Sequence, residues 1–243
     1  MMMTIRQNIL DMSYPQVQEL VCSLGEPAYR ADQIVWWVYQ KLATSFEEMT
    51  DLPQSLRQKL ASVAALSSMI SVYKKVSADG QTRKVLFKLG DGRTIESSLM
   101  LYERTGLSRE RRTVCVSTQV GCPVGCPFCA TGQQGFERNL RPSEIIEQVL
   151  YFMRLVSAEQ LKGEAATDPS RRPVTNVVFM GMGEPLANYE AVWQSIVTLN
   201  SKHGLELGVR QITVSTVGLV PQIKRLAGEH IHVELAISLH AAN

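Results

Sequence analysis

The sequence predicts an α/β protein in which a small helical domain and a short antiparallel β unit precede a series of βα units. Three observations favour this fold class. Apolar residues recur with helical spacing over the first 65 or so residues, alternate with polar residues between 68 and 102, and from 113 onward fall into repeated strand–loop–helix segments. We therefore divide the chain into 1–66, 67–106 and 107–243.

Start and stop signals mark four helices in the first part. The first is predicted between Ser13 and Gly25, the second over 28–41, a short capped turn over 45–48 and the last from Pro53 towards Ala65. Cys22 lies beside the apolar positions of the first helix. Because cysteine is often buried, we interpret it as a core residue.

The antiparallel unit is predicted around a hairpin turn, Gly90-Asp91-Gly92. Its last strand carries Glu96 on the face opposite to Ile95, since successive side chains of a strand alternate between faces. Taken alone, Glu96 is therefore interpreted as a surface carboxylate.

The third part alternates strands with helices. Strands are predicted at 113–118, 174–180, 211–217 and 232–239, and helices over 143–156, over 188–202 and up to Gly228. The first two strands are mostly apolar, which is typical of parallel strands covered by helices. Such units form an open sheet or a barrel, and both place their sites at the carboxyl ends of the strands.

The loop after the first of these strands holds three closely spaced cysteines, Cys122, Cys126 and Cys129. Three thiolates are one ligand fewer than a closed zinc site or a four-cysteine cluster needs. A [4Fe–4S] cube bound this way keeps one iron free to chelate S-adenosylmethionine (SAM), the arrangement of radical-SAM enzymes. The spacing favours this interpretation; a zinc site and inert thiols stay open as alternatives.

Composition adds limits of its own. The 243 residues are 45% hydrophobic and 20% charged with a net charge of +2, and no apolar run is long enough to span a bilayer. With no export signal and unpaired cysteines, we expect a cytoplasmic protein. Six arginines stand against three glutamates between 101 and 141; this excess fits RNA contacts and an ordinary solvated surface equally well.

The other strand ends carry small and polar residues. Gly181-Met-Gly-Glu-Pro185 follows the second strand, and its glycines and carboxylate suit an α-ammonium group or merely a tight turn. Ser215-Thr216 and Ser238-Leu239-His240 offer hydroxyl and imidazole groups to a ribose or carboxylate.

These motifs together resemble the RlmN-type dual-specificity RNA methyltransferases of the radical-SAM superfamily. The resemblance is carried by Val114–Phe136, Asn176–Leu186, Val214–Gly218 and Ala236–His240, and by the N-terminal segments Gly25–Ile34 and Glu48–Pro53. It implies a radical-SAM (β/α) partial barrel behind an RNA-binding helical accessory domain.

The resemblance also implies site residues. Cluster ligands would be Cys122, Cys126 and Cys129, with Glu96 as proton acceptor and Cys115 as the cysteine that forms a disulfide when the methylated adduct is resolved. The implied contacts to SAM are Gly183, Glu184, Ser215, Ser238, Leu239 and His240.

The implied activity is methylation of adenine C2 in 23S rRNA and tRNAs through a methyl-cysteine intermediate. The implied protein is a cytoplasmic monomer with a [4Fe–4S] cluster, SAM and a flavodoxin-like or similar electron donor, and no membrane partner. Two alternatives stay open: methylation at adenine C8 by the same superfamily, and a non-catalytic iron–sulfur or RNA-binding fragment.

One departure from the family is plain. Its methyl-carrying cysteine lies near the C-terminus, in a segment that this sequence does not contain, and four strands are predicted where the family's partial barrel has six. We therefore expect an incomplete barrel that binds a cluster and SAM but does not complete methylation.

Overall fold

The computed structural model describes residues 6–102, 110–160 and 172–239. The helices in these ranges are α1 (Tyr14–Ser23), α2 (Arg30–Tyr39), α3 (Gln54–Val63), α4 (Ala130–Gln133), α5 (Pro142–Gln160), α6 (Tyr189–Asn200) and α7 (Val220–Ala227). The strands are β1 (Gln7–Asn8), β2 (Ala64–Ala65), β3 (Met69–Val76), β4 (Thr82–Leu89), β5 (Thr94–Tyr102), β6 (Arg111–Cys115), β7 (Gln119–Gly121), β8 (Phe136–Asn139), β9 (Asn176–Phe179), β10 (Ile212–Thr216) and β11 (Glu234–Ile237).

One seven-stranded sheet organises the molecule, in the order β11-β10-β9-β6-β5-β4-β3. Its first four strands in that order run parallel and are joined by α5, α6 and α7, as the predicted βα units require. This confirms the predicted fold class. The antiparallel strands β3, β4 and β5 extend the same sheet, because the second half of β5, from Ser98 to Tyr102, pairs with β6.

The N-terminal helices begin where the sequence predicts. Ser13 caps α1 in a capping box, with its N–H donating to Oε1 of Gln16 at 2.8 Å, and Gly25 follows the helix at a φ of +81°. Val21 is fully buried. The prediction that Cys22 is a core residue is wrong: it is exposed, because the helix turns it about 100° away from Val21 towards solvent.

The sheet has two unlike faces. Helix α5 covers one, where Val85, Phe87, Ile95, Leu99 and Val114 are buried. The other we call the open face, defined by Glu96, Ser98, Cys115 and the residues in register with them on neighbouring strands. Because all three connecting helices follow right-handed parallel crossovers, they lie on the covered face and leave the open face to a ligand.

Helix α5 also holds the N-terminal helices against the sheet. Near its start, the buried carboxylate of Glu147 accepts a hydrogen bond from the Ser68 N–H at 2.8 Å. Two turns later, Arg154 donates from Nε to the carbonyl of Leu42 at 2.8 Å. Burial raises the pKa of Glu147 and lowers that of Arg154, so both charges depend on these partners. No described helix is long and apolar enough to cross a membrane.

Candidate active site

The cysteine loop is carried by a small hairpin that the sequence did not predict. Strands β7 and β8 pair antiparallel, and between them the Cys122 N–H donates to the Gly135 carbonyl at 3.0 Å. Gly121 makes this close approach possible, since its φ is +73° and a Cβ there would lie 1.8 Å from the Gly135 oxygen. Further along, the Cys129 N–H donates to the Cys126 carbonyl at 3.1 Å.

The three thiols of the loop are free and partly buried. Burial raises the pKa of Cys122; the Val124 N–H lowers it, and the charges of Cys126, Cys129 and Glu184 raise it further. In the described part of the chain, no three histidine, cysteine, aspartate or glutamate side chains are placed so that they could hold a single metal ion. A [4Fe–4S] cube takes one thiolate on each iron that the protein binds, so the chemistry of three thiols on one loop suits it.

The glycine-rich turn after β9 packs against β7. Gly183 has a φ of +100°, and a Cβ there would lie 2.6 Å from Cβ of Gln119, so no other residue fits. The Gln119 side chain accepts the Glu184 N–H at 2.8 Å and donates to Asn139 on β8 at 2.8 Å. The turn is therefore positioned directly beside the cysteine hairpin.

Glu184 joins the ends of two parallel strands. Its carboxylate is almost completely buried and accepts the Leu186 N–H at 3.0 Å and the Val217 N–H, just past β10, at 2.9 Å. Each carboxylate oxygen can accept a second hydrogen bond. The group thus has remaining acceptor capacity beside the cysteine loop.

We expect Glu184→Ala to lower the free energy of unfolding by about 2–4 kcal/mol, because two N–H groups lose their acceptor. Urea denaturation measures the change. Glu190→Ala is the control: its exposed carboxylate pairs with Arg225 on the surface, so stability should stay nearly unchanged. Equal losses in the two variants would contradict the assigned role of Glu184.

The serines of the last two strands meet at the carboxyl edge of the sheet. Ser215 Oγ lies 3.2 Å from Ser238 Oγ, and Leu239 beyond them is 74% exposed. His240 lies outside the described residues.

Glu96 and Cys115 share the open face, although they are 19 positions apart in the chain. Glu96 is exposed and its Oε2 lies 2.8 Å from Lys84 Nζ. Ser98, two residues after Glu96, is in register with Cys115. Burial raises the pKa of the Cys115 thiol, while hydrogen bonds from the Met180 N–H and the Ser98 hydroxyl and the charge of Lys84 lower it.

Comparison with models of known protein families shows the family of this chain. Residues 116–243 match the model of the Radical SAM superfamily, and residues 7–66 match that of the Ribosomal RNA large subunit methyltransferase N-terminal domain. The chain belongs to the radical SAM superfamily. Its cofactors are accordingly a [4Fe–4S] cluster and SAM, and the loop of Cys122, Cys126 and Cys129 is the candidate site for that cluster.

Several relatives of this radical SAM chain are similar over nearly its whole length. A probable dual-specificity RNA methyltransferase RlmN of Chloroflexus aurantiacus is 45% identical over 96% of this chain and 58% of the relative. The probable dual-specificity RNA methyltransferase RlmN of Moorella thermoacetica is 46% identical over 98% of this chain and 64% of the relative. The crystal structure of a radical SAM methyltransferase from Sphaerobacter thermophilus superimposes with a TM-score of 0.87, at 43% identity, over 98% and 64% of the two chains. The chain thus spans about 60% of its relatives' length.

The arginines near the cysteine loop have partners in this radical SAM structure. Arg138 binds Asp91 at 2.6 Å and Glu144 at 2.8 Å, and its hydrogen bond to Asp91 lowers the pKa of that carboxyl to about 2. Arg112 binds Glu110 at 2.9 Å. The two arginines at 104 and 109 lie outside the described residues. Arg138, on β8, therefore supports the hairpin through these carboxylates rather than presenting free charge.

Two residues of the site had escaped sequence reasoning. Lys84 reaches Glu96, and Ser98 reaches Cys115, in both cases across neighbouring strands. Their signal is the hairpin register: counting back from Gly90 and forward from Gly92 places Lys84 and Ser98 opposite one another.

Proposed function

We propose that this protein is an RNA methyltransferase that methylates C2 of an adenine in 23S rRNA and tRNAs. The observation that carries the proposal is that Glu96 on β5 and Cys115 on the neighbouring strand β6 lie on the same open face of the sheet, and that β6 also pairs with β9. The names of the relatives, probable dual-specificity RNA methyltransferases, support the same substrate class.

Cofactor binding is assigned to the carboxyl edge of the sheet. In this proposal Cys122, Cys126 and Cys129 hold the cluster. The residues proposed to contact SAM are Gly183, Glu184, Ser215, Ser238, Leu239 and His240. Glu184 would accept from the α-ammonium group with its remaining lone pairs, and the paired Ser215 and Ser238 hydroxyls would bind polar groups of SAM. The bound cofactors supply reductive cleavage of SAM to a 5′-deoxyadenosyl radical.

Glu96 and Cys115 are assigned to the substrate. Adenine C2 is not nucleophilic, so direct methyl transfer from SAM does not serve there, and the proposal routes the methyl group through a cysteine. Glu96, exposed on the open face, takes the proton that leaves C2. Cys115, on the same open face and with the pKa of its thiol raised by burial, forms the disulfide that releases the product.

The methyl-carrying thiol is proposed to come from outside these 243 residues. In the described part of the chain, Cys115 is the cysteine on the open face; Cys22 lies on α1 and the remaining three form the loop. Reduction by a flavodoxin-like donor and action as a monomer complete the proposal.

We expect the anaerobically reconstituted chain, reduced with dithionite, to release 5′-deoxyadenosine from SAM. Chromatography with mass detection measures the release, and iron and sulfide content confirm cluster loading. A chain that carries its cluster and binds SAM but releases none would contradict the radical chemistry. A chain that loads zinc in preference to iron under the same conditions would contradict the assignment of the cysteine loop.

A further inference from the structure

A groove leads across the open face from the proposed catalytic pair to the edge of the sheet. Strand register builds it in two rows. Tyr73 on β3, Leu86 on β4 and Glu96 on β5 form the first row. Lys75, Lys84 and Ser98 form the second, which continues to Cys115 on β6. We call this the outer groove.

The outer groove is a cavity of about 420 Å³ with an unusual lining. Its walls are Tyr73, Lys75, Val76, Ser77, Thr82, Lys84, Leu86 and Glu96. Tyr73 is 61% exposed. Within the described ranges no carboxylate pairs with Lys75, whereas Lys84 pairs with Glu96. An exposed aromatic ring, an apolar floor and an ammonium group without a counter-charge therefore lie side by side.

We infer that the outer groove binds the single-stranded RNA next to the target adenine, with a base stacked on Tyr73 and a phosphate bound by Lys75. This inference rests on the proposed function. Aromatic rings beside basic residues are the usual means of holding a single strand without reading its sequence.

Position and charge both support RNA as the occupant. With strands about 4.8 Å apart, Tyr73 lies two strand spacings, roughly 10 Å, from Glu96, so a nucleotide stacked there neighbours one held at Glu96. On this face β3 and β4 present Lys75, Lys84 and Lys88, and Glu96 offsets only one of their charges. An apolar peptide would bury the remaining ammonium groups without a counter-charge, which is costly.

The test measures RNA binding by fluorescence anisotropy, using the 243-residue chain and a short fluorescein-labelled oligoadenylate over a range of salt concentrations. We expect Tyr73→Ala to weaken binding about 5- to 150-fold, from the loss of one stacked base. Tyr73→Phe keeps the ring and should bind like the parent. Lys75→Gln should lower the slope of log K against log salt by about 0.7, the value for one phosphate contact to a single strand.

Lys74→Gln is the matched control. It removes the same charge from the same strand, but its Nζ lies over the Tyr151 ring of α5, on the covered face, so the salt slope should not change. The inference is overturned if the parent does not bind oligoadenylate, if Tyr73→Ala and Lys75→Gln bind like the parent, or if Lys74→Gln lowers the slope equally.

The proposed function is judged separately, by release of 5′-deoxyadenosine without RNA. Release together with RNA binding that ignores Tyr73 and Lys75 would overturn the groove and leave the function standing. If RNA binding depends on Tyr73 and Lys75 but no 5′-deoxyadenosine is released, the proposed function is overturned and the groove stands as an RNA-binding surface.

Discussion

Cys126→Ser is expected to remove the iron–sulfur cluster and reduce 5′-deoxyadenosine release by at least about 100-fold. Changes to groups that merely support metal ligands cost 10- to 100-fold, and loss of a ligand itself should exceed that. With three thiolates available, the cube has no spare protein ligand to replace Cys126. Iron and sulfide content after anaerobic reconstitution, followed by the SAM cleavage assay, measures both effects.

Cys22→Ser serves as the control for this substitution. Cys22 is exposed on α1, far along the chain from the loop, so its loss should leave iron content and SAM cleavage as in the parent. Normal iron content in Cys126→Ser, or loss of iron in Cys22→Ser, would show that the loop is not the cluster site.

Gly121→Ala is expected to lower the free energy of unfolding by about 2–6 kcal/mol. The φ of +73° costs a residue with a side chain about 1–3 kcal/mol. The new Cβ would also lie 1.8 Å from the Gly135 oxygen, and relieving such overpacking costs about 1–3 kcal/mol more. Because the same oxygen accepts the Cys122 N–H, the hairpin that carries the cluster loop must open. Urea denaturation and iron content measure the two consequences.

Gly135→Ala separates the cost of the positive φ from the cost of the steric clash at Gly121. Gly135 has a similar φ of +78°, but a Cβ there meets nothing within 4 Å. It should therefore show the strain alone, about 1–3 kcal/mol, and keep its cluster. If Gly121→Ala were no more destabilising than Gly135→Ala, the close packing at the base of the hairpin would be refuted.

Local patterns predicted the strands and helices well because each depends on neighbouring residues. The helix start at Ser13, the capped turn at 45–48 and the alternation around Ile95 and Glu96 all appear in the structure as predicted. Pairing between distant strands has no such local signal. The continuation of β5 into β6 joins segments separated by 103–110, and the sequence alone gave no reason to place them in one sheet.

Three further features show where sequence reasoning reached its limit. The strands β7 and β8 are too short for a recognisable alternation, and their pairing depends on Gly121 and Gly135. In the sequence nothing distinguishes Lys84 from other surface lysines; only the strand register places it beside Glu96. The prediction for Cys22 relied on the statistical preference of cysteine for the protein interior. The geometry of α1 instead places its side chain at the surface.

The anchoring of α5 has a consequence for protein engineering. Glu147 and Arg154 end on backbone groups of Ser68 and Leu42, in and beside the segment that matches the N-terminal domain model. A hybrid that takes this segment from a different relative must offer the same N–H and carbonyl at the same places. Otherwise a carboxylate and a guanidinium are left in the interior without water or counterpart, and the transplanted segment and its new host would be poorly joined.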